Sequence, residues 1–154
     1  MLPHPRLCLV STAAPDWKGP CSAILSLDTP DQEMIEWARQ ADTALIAPFA
    51  NAALRKGVDG AWMSDATALK QVRKQIPDAQ LVGLAQDRHS AMVMGEVGAD
   101  LIVFGTFMPM EIGDLDLARW WAGLFVVPCA CLISKDTPTE GFGQPGEPEF
   151  YIQT

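Results

Sequence analysis

The stretch Gln86-Asp87-Arg88-His89-Ser90 gathers most of the side chains in this sequence that could do chemistry. It follows the apolar run Leu81–Ala85 and opens a segment of helix length. A guanidinium at Arg88 can hold a carboxylate or phosphate through two parallel hydrogen bonds. An imidazole at His89 can move a proton near neutral pH. Gln86 offers an amide where the apolar run ends. Asp65, Thr106 and Lys135 follow three other apolar runs and complete the ligand-binding candidates. Each has an ordinary role beside the chemical one. Arg88 and His89 suit the first turn of a helix, paired with Asp87 or Glu96 or with water. Asp65 suits a helix cap. Trp62 is either filling or a platform for stacking. No residue stands out as a catalytic group.

The cysteines offer less. Cys8, Cys21, Cys129 and Cys131 sit in or beside apolar runs, and none forms a Cys-x-x-Cys pair. They read as small buried hydrophobes. A metal or redox role would need help from the two histidines, and neither is near in sequence. No metal site is expected.

The elements that must position these residues are legible around the centre of the chain. Leu81–Ala85, a polar turn, a helix closed by Gly98, and the run Leu101–Phe104 make a βαβ unit. Asp87 can cap that helix. Gly98 supplies the left-handed turn that ends it. The spacing predicts further strands at Arg6–Ser11, Ser22–Leu27, Thr43–Ala47, Val58–Met63 and Val126–Ile133. It predicts helices at Pro30–Ala41, Ala50–Lys56, Ala66–Gln75 and Leu115–Phe125. Helix Pro30–Ala41 is expected to be capped by Asp28 or Thr29, with Pro30 in its first turn.

Strand and helix in alternation imply a parallel sheet with helices outside. Seven strands in that rhythm point to a TIM-type (β/α) barrel, and a shortened or incomplete one. The link Ser11–Cys21 is too rich in proline for an ordinary first helix. The chain ends too early for a full eighth unit. Either the barrel is pared down or segments are absent from the sequence. Residues 1–134 are assigned to the barrel and 135–154 to a Pro/Gly-rich C-terminal tail.

The net charge of -8 repels phosphate backbones, so no nucleic-acid partner is expected. No apolar run approaches membrane-spanning length. The patch Leu7–Val10 is too short for a signal peptide. A cytoplasmic protein with no membrane partner is expected. Trp120 and Trp121, adjacent on one helix, cannot both face the barrel. With Phe125 and the edges of an incomplete barrel, they suggest a homodimer.

Val58-Asp59-Gly60-Ala61-Trp62-Met63, then Val82-Gly83, then Gly98-Ala99-Asp100 leading to Gly105, stand in a familiar order. This pattern resembles the thiamine-phosphate synthase superfamily, which includes the thiazole tautomerase TenI. That group carries "ADGVHLG", "IG" and "GADY" before "GP" at corresponding points. Arg88-His89-Ser90-Ala91-Met92 and Gly95-Glu96 are similar to a divergent branch of it. The resemblance covers roughly Ala44–Ile133.

It implies a barrel whose C-terminal mouth joins a pyrimidine pyrophosphate to a thiazole phosphate with magnesium. The chain departs from that pattern where the ligands should be. Ala47-Pro48 stands for the family's Asn-Asp, so no side chain there holds magnesium. Trp62 replaces its His, and Ala85 its Ser. Met108-Pro109-Met110-Glu111 follows Thr106 without the family's lysine. Ser134-Lys135 stands for its Gly-Gly turn. Pyrophosphate needs several cations or N–H donors, and only Arg88 and Lys135 are assigned to the mouth. The implied function is a catalytically degenerate relative that binds a small anionic or phosphorylated ligand, with no cofactor. The alternative is an active transferase of thiamine biosynthesis, with magnesium, or a tautomerase.

Overall fold

The computed structural model describes residues 7–17, 21–48 and 57–153. In chain order its strands are β1 (Leu7–Ser11), β2 (Ala23–Ser26), β3 (Ala44–Pro48), β4 (Gly60–Met63), β5 (Gln80–Ala85), β6 (Leu101–Phe107), β7 (Met110–Ile112), β8 (Cys129–Ile133) and β9 (Phe150–Gln153). Helices α1 (Gln32–Gln40), α2 (Ala66–Gln75), α3 (Arg88–Glu96) and α4 (Leu115–Leu124) alternate with them. Strands β1 to β6, then β8 and β9, pair in parallel and in chain order. β9 returns to β1 through Leu7↔Tyr151 and Cys8↔Ile152, so eight strands close a barrel.

The strand registers explain the unbroken apolar runs. Leu25, Ile46, Val82, Val103, Ala130 and Ile152 fill the interior. Their strand neighbours Ile24 and Leu45 pack outward on Met34 and Ala38 of α1. Leu81, Ile102 and Cys131 do the same in the cluster that holds buried residues of α2, α3 and α4. A strand buried on both faces needs apolar residues at successive positions. Gly60 is required by close approach, because a Cβ there would lie 1.7 Å from the carbonyl oxygen of Gln80.

Three differences from the sequence reading concern the ends of elements. The chain supplies an eighth strand, Phe150–Gln153, inside the segment expected to be a tail. Residues 134–149 do form turns and loops, as their composition predicts. Helix α1 starts later than expected, because Asp31 accepts from the backbone N–H of Met34 at 2.9 Å. β8 begins at Cys129, and Val126 is 99% exposed. The expected helix Ala50–Lys56 lies outside the described residues. No helix is found among the described residues between β1 and β2, where the first helix was expected to be reduced or absent, or between β8 and β9. The eighth strand, expected to be reduced or absent, is present and closes the barrel.

Closure changes the reasoning about a second copy. The barrel strands leave no open sheet edge among the described residues. Trp121 is 1% exposed and stacks on Phe125 at 4.0 Å between ring centroids. Trp120 is half-buried, with the Arg88 guanidinium 4.8 Å from its ring centroid. The large apolar side chains left bare on this side are Leu124 and Val126.

The N-terminal end of the barrel is held by polar clasps. Arg73 of α2 donates to the carbonyls of Pro77, Ala79 and Gly98 and to the Asp100 carboxylate, at 2.6–3.2 Å. Gly98, at φ +109°, takes the left-handed turn that ends α3. Three carboxylates sit immediately before strands and reach back to the strand before. Asp59 accepts from Leu45 N–H at 2.8 Å, Asp100 from Leu81 N–H at 2.8 Å, and Glu149 from Cys129 N–H at 3.0 Å.

Candidate functional site

The C-terminal ends of β4, β5 and β6 face the mouth of the barrel, where catalytic and binding groups of this architecture sit. Each strand ends with a different polar group. Beyond β4 comes Ser64, beyond β5 come Gln86 and Asp87, and the end of β6 carries Thr106. Together with Ser90 of α3 they line a pocket of about 450 Å³. Its apolar wall is Trp62, Leu84, Phe107 and Met108. A second pocket of about 200 Å³ shares Gln86 and Thr106 with the first. It is bounded by β7 and by the start of α4, and it adds the carboxylates of Glu111 and Asp114.

Local structure fixes these groups. Asp87 accepts from Ser90 N–H at 2.7 Å, and the Ser90 hydroxyl accepts from Asp87 N–H at 3.3 Å, closing a capping box. The Ser90 N–H first, and then its hydroxyl, hold the Asp87 carboxyl below the usual carboxylate range. Thr106 donates to the Pro109 carbonyl at 2.7 Å across the turn into β7. Trp62 Nε1 donates to the Ser26 carbonyl at 2.7 Å. Its ring meets Phe107 edge-on at 5.1 Å between centroids. Trp62 therefore fills the upper barrel and also forms part of the pocket wall.

Of the sequence candidates, the pocket brings together Gln86 and Thr106. Asp65 caps α2 by accepting from Thr67 N–H at 2.9 Å. Arg88 lies over the Trp120 ring of α4. His89 is an exposed residue of α3, and Lys135 is exposed in the turn after β8. None of these four lines either pocket. Ser64, Ser90, Phe107 and Met108 were missed as site residues. Ser64 had a usable signal, since it directly follows a predicted strand. Ser90 was concealed by its local role in the cap.

The family resemblance places the metal-holding Asn-Asp at the end of β3. Ala47 and Pro48 end β3 without a carboxylate. Among the described residues no three His, Cys, Asp or Glu groups gather to hold a metal. The four thiols are buried, and burial pushes Cys8 and Cys131 up to about 12. They stay protonated near neutral pH and act as core hydrophobes. Among the described residues no helix is long and apolar enough to cross a membrane.

The cap gives a direct expectation. Asp87→Ala should lower the melting temperature by a few degrees, and Asp87→Asn should keep nearly all of it, because Asn also caps. The folded carboxyl titrates below its ordinary value. Its stabilisation is therefore complete above the ordinary carboxylate range and fades as pH falls through the lowered value. Melting curves of the three proteins at pH 7 and pH 3 check this, and equal melting temperatures at pH 7 would contradict it.

The fold and mouth can now be set beside known proteins. No family model matches the chain. Thiamine-phosphate synthase from Rhodospirillum centenum is 33% identical over 89 residues, covering 52% of this chain and 43% of that protein. The same enzyme from Erythrobacter litoralis is 32% identical over 91 residues, with the same coverage. That from Hyphomonas neptunium is 31% identical over 105 residues, covering 62% and 48%. The chain thus spans about half the length of the curated relatives it matches. Among solved structures, thiamine phosphate pyrophosphorylase from Pyrococcus furiosus superposes with a TM-score of 0.64 at 15% identity, over 81% of this chain and 73% of that one. Wild-type GGGPS from Thermoplasma volcanium gives 0.55 at 10% identity, over 98% and 84%. At such identities the structures speak for the fold alone, a closed (β/α) barrel, and over 89 to 105 residues the sequence is similar to thiamine-phosphate synthases.

Proposed function

We propose that this barrel is catalytically degenerate and binds a small molecule at its C-terminal mouth. One observation carries the reading. The described residues lining both mouth pockets include hydroxyls, an amide and carboxylates, but no Lys, Arg or His. Such a lining can orient a small polar molecule against Trp62 and Phe107. It supplies no cation to offset the charge that builds on a departing pyrophosphate.

A phosphorylated ligand is the second reading, and the start of α3 favours it. Asp87 and Ser90 place the first turn of that helix beside the pocket. Helix N-termini present free N–H groups to anions.

Thermal shift with pyrophosphate and magnesium, together and separately, tests the degeneracy. The melting temperature is expected to stay unchanged in all three conditions. A surviving synthase would be stabilised by roughly 2.7 kcal/mol at one hundred times its dissociation constant, which is about 5–10 °C for a chain of this size. A rise of that order that requires both components would favour the active transferase. A rise with pyrophosphate alone would favour the phosphorylated ligand.

A further inference from the structure

The two mouth pockets adjoin at the ends of β5 and β6, the larger lined by aromatic side chains and both by acidic residues. They share Gln86 and Thr106, and three carboxylates bound them: Asp87, Glu111 and Asp114. No cation among the described lining residues balances them. The guanidinium nearest in sequence is turned away, because Arg88 lies 4.8 Å from the ring centroid of Trp120. The other wall is the Trp62–Phe107 pair, with Met108 at the rim.

We infer that the mouth takes a small organic cation, a protonated amine on a ring or short apolar body, and not a phosphorylated molecule. This inference rests on the reading of the mouth as a small-molecule site. The geometry supplies each element of recognition. A volume of about 450 Å³ fits a single-ring ligand. An apolar body packs on Leu84 and Phe107, and aromatic faces attract a cationic nitrogen. The hydroxyls of Ser64 and Ser90 and the Gln86 amide oxygen can accept from its N–H groups. Asp87 lines the larger pocket and supplies opposite charge there, and Glu111 adds to it from the adjoining smaller pocket. A phosphate in the same recess would meet those carboxylates and lose its hydration without a paired cation.

Three probes that share a benzyl group test the assignment: benzylamine, benzyl alcohol and benzyl phosphate. They are titrated into the full chain by calorimetry. Binding is located by the Trp62 indole N–H resonance, identified by its loss in Trp62→Phe. Benzylamine is expected to bind about tenfold tighter than benzyl alcohol, the ratio that one exposed ion pair and one cation–π contact together give. Benzyl phosphate should bind weakest. The pair Asp87→Asn and Glu111→Gln, which keeps the cap of α3, should bring benzylamine down to the level of benzyl alcohol. Equal binding of amine and alcohol, or tightest binding of benzyl phosphate, would overturn the cation while leaving the mouth as a small-molecule site. If no probe moved the Trp62 resonance, both the cation and the site on which it rests would fall.

Discussion

Purified protein incubated with the pyrimidine pyrophosphate, the thiazole phosphate and magnesium is expected to form no thiamine phosphate above the uncatalysed background. The leaving group is pyrophosphate, and its departure concentrates negative charge in the transition state. Enzymes stabilise such charge with a metal and fixed donors, each worth roughly 2.7–4 kcal/mol when removed. The family resemblance places three such elements at Ala47-Pro48, after Thr106, and at Ser134-Lys135. At the first, β3 ends in two residues without a metal-binding side chain. After Thr106 the chain enters a turn and the strand β7, and Met108-Pro109-Met110-Glu111 holds no lysine. At the third, Lys135 is exposed in a turn outside both pockets. Even far from additive, three losses should cost on the order of 10⁵-fold in rate. Detection of thiamine phosphate after long incubation checks this. Robust turnover that disappears in Arg88→Ala would show that the family chemistry survives, with its cation supplied by Arg88.

Replacing Arg73 should have the largest effect on stability. Its guanidinium ties the end of α2 to the loop before β5 and to the turn before β6 through three carbonyls and one carboxylate. The Arg73 side chain is 24% exposed and that of Asp100 53%, so the ion pair itself contributes little. The three carbonyls decide the magnitude, because Arg73→Ala removes charged donors from all of them at once. The expected loss is roughly 3–4 kcal/mol, or about 6–15 °C in melting temperature. Arg73→Lys should recover only a fraction, since one ammonium cannot span acceptors that a planar fork reaches together. Urea denaturation of the two variants measures this. A loss below about 1 kcal/mol for Arg73→Ala would mean that water replaces the clasp without cost.

The middle of the barrel was legible in the sequence because periodicity, caps and turns agreed there. Asp65 and Asp87 cap the helices they precede, Gly98 ends α3, and β3, β4, β5, β6 and β8 pair in the expected order. The last strand was not legible. Phe150-Tyr151-Ile152 is a short apolar run after a long stretch rich in proline and glycine, and four residues carry almost no period. Its place is decided by tertiary pairing with β8 and β1. β7 was missed for a similar reason, as three exposed residues paired with β6. Of the six candidate residues, Gln86 and Thr106 line the mouth pockets, and Asp65, Arg88, His89 and Lys135 do not. Direction was not legible. Arg88 and Asp87 are neighbours in sequence, yet one faces Trp120 and the other the pocket, and helical phase at the first turn separates them.

The carboxylates before β4, β6 and β9 have a consequence for how the strands find their partners. Each binds a backbone N–H of the strand immediately before it, across 14, 19 and 20 residues of chain. Those are short loops, whose closure costs little entropy. A slip of one residue between β5 and β6 would part Asp100 from Leu81 and, in the same movement, turn Val103 away from the barrel axis and Ile102 toward it. Alignment at these three joints is thus enforced twice, by a point contact at the strand's first residues and by the sorting of side chains along its length. A misaligned pair is penalised as soon as it forms, before the rest of the barrel exists to correct it.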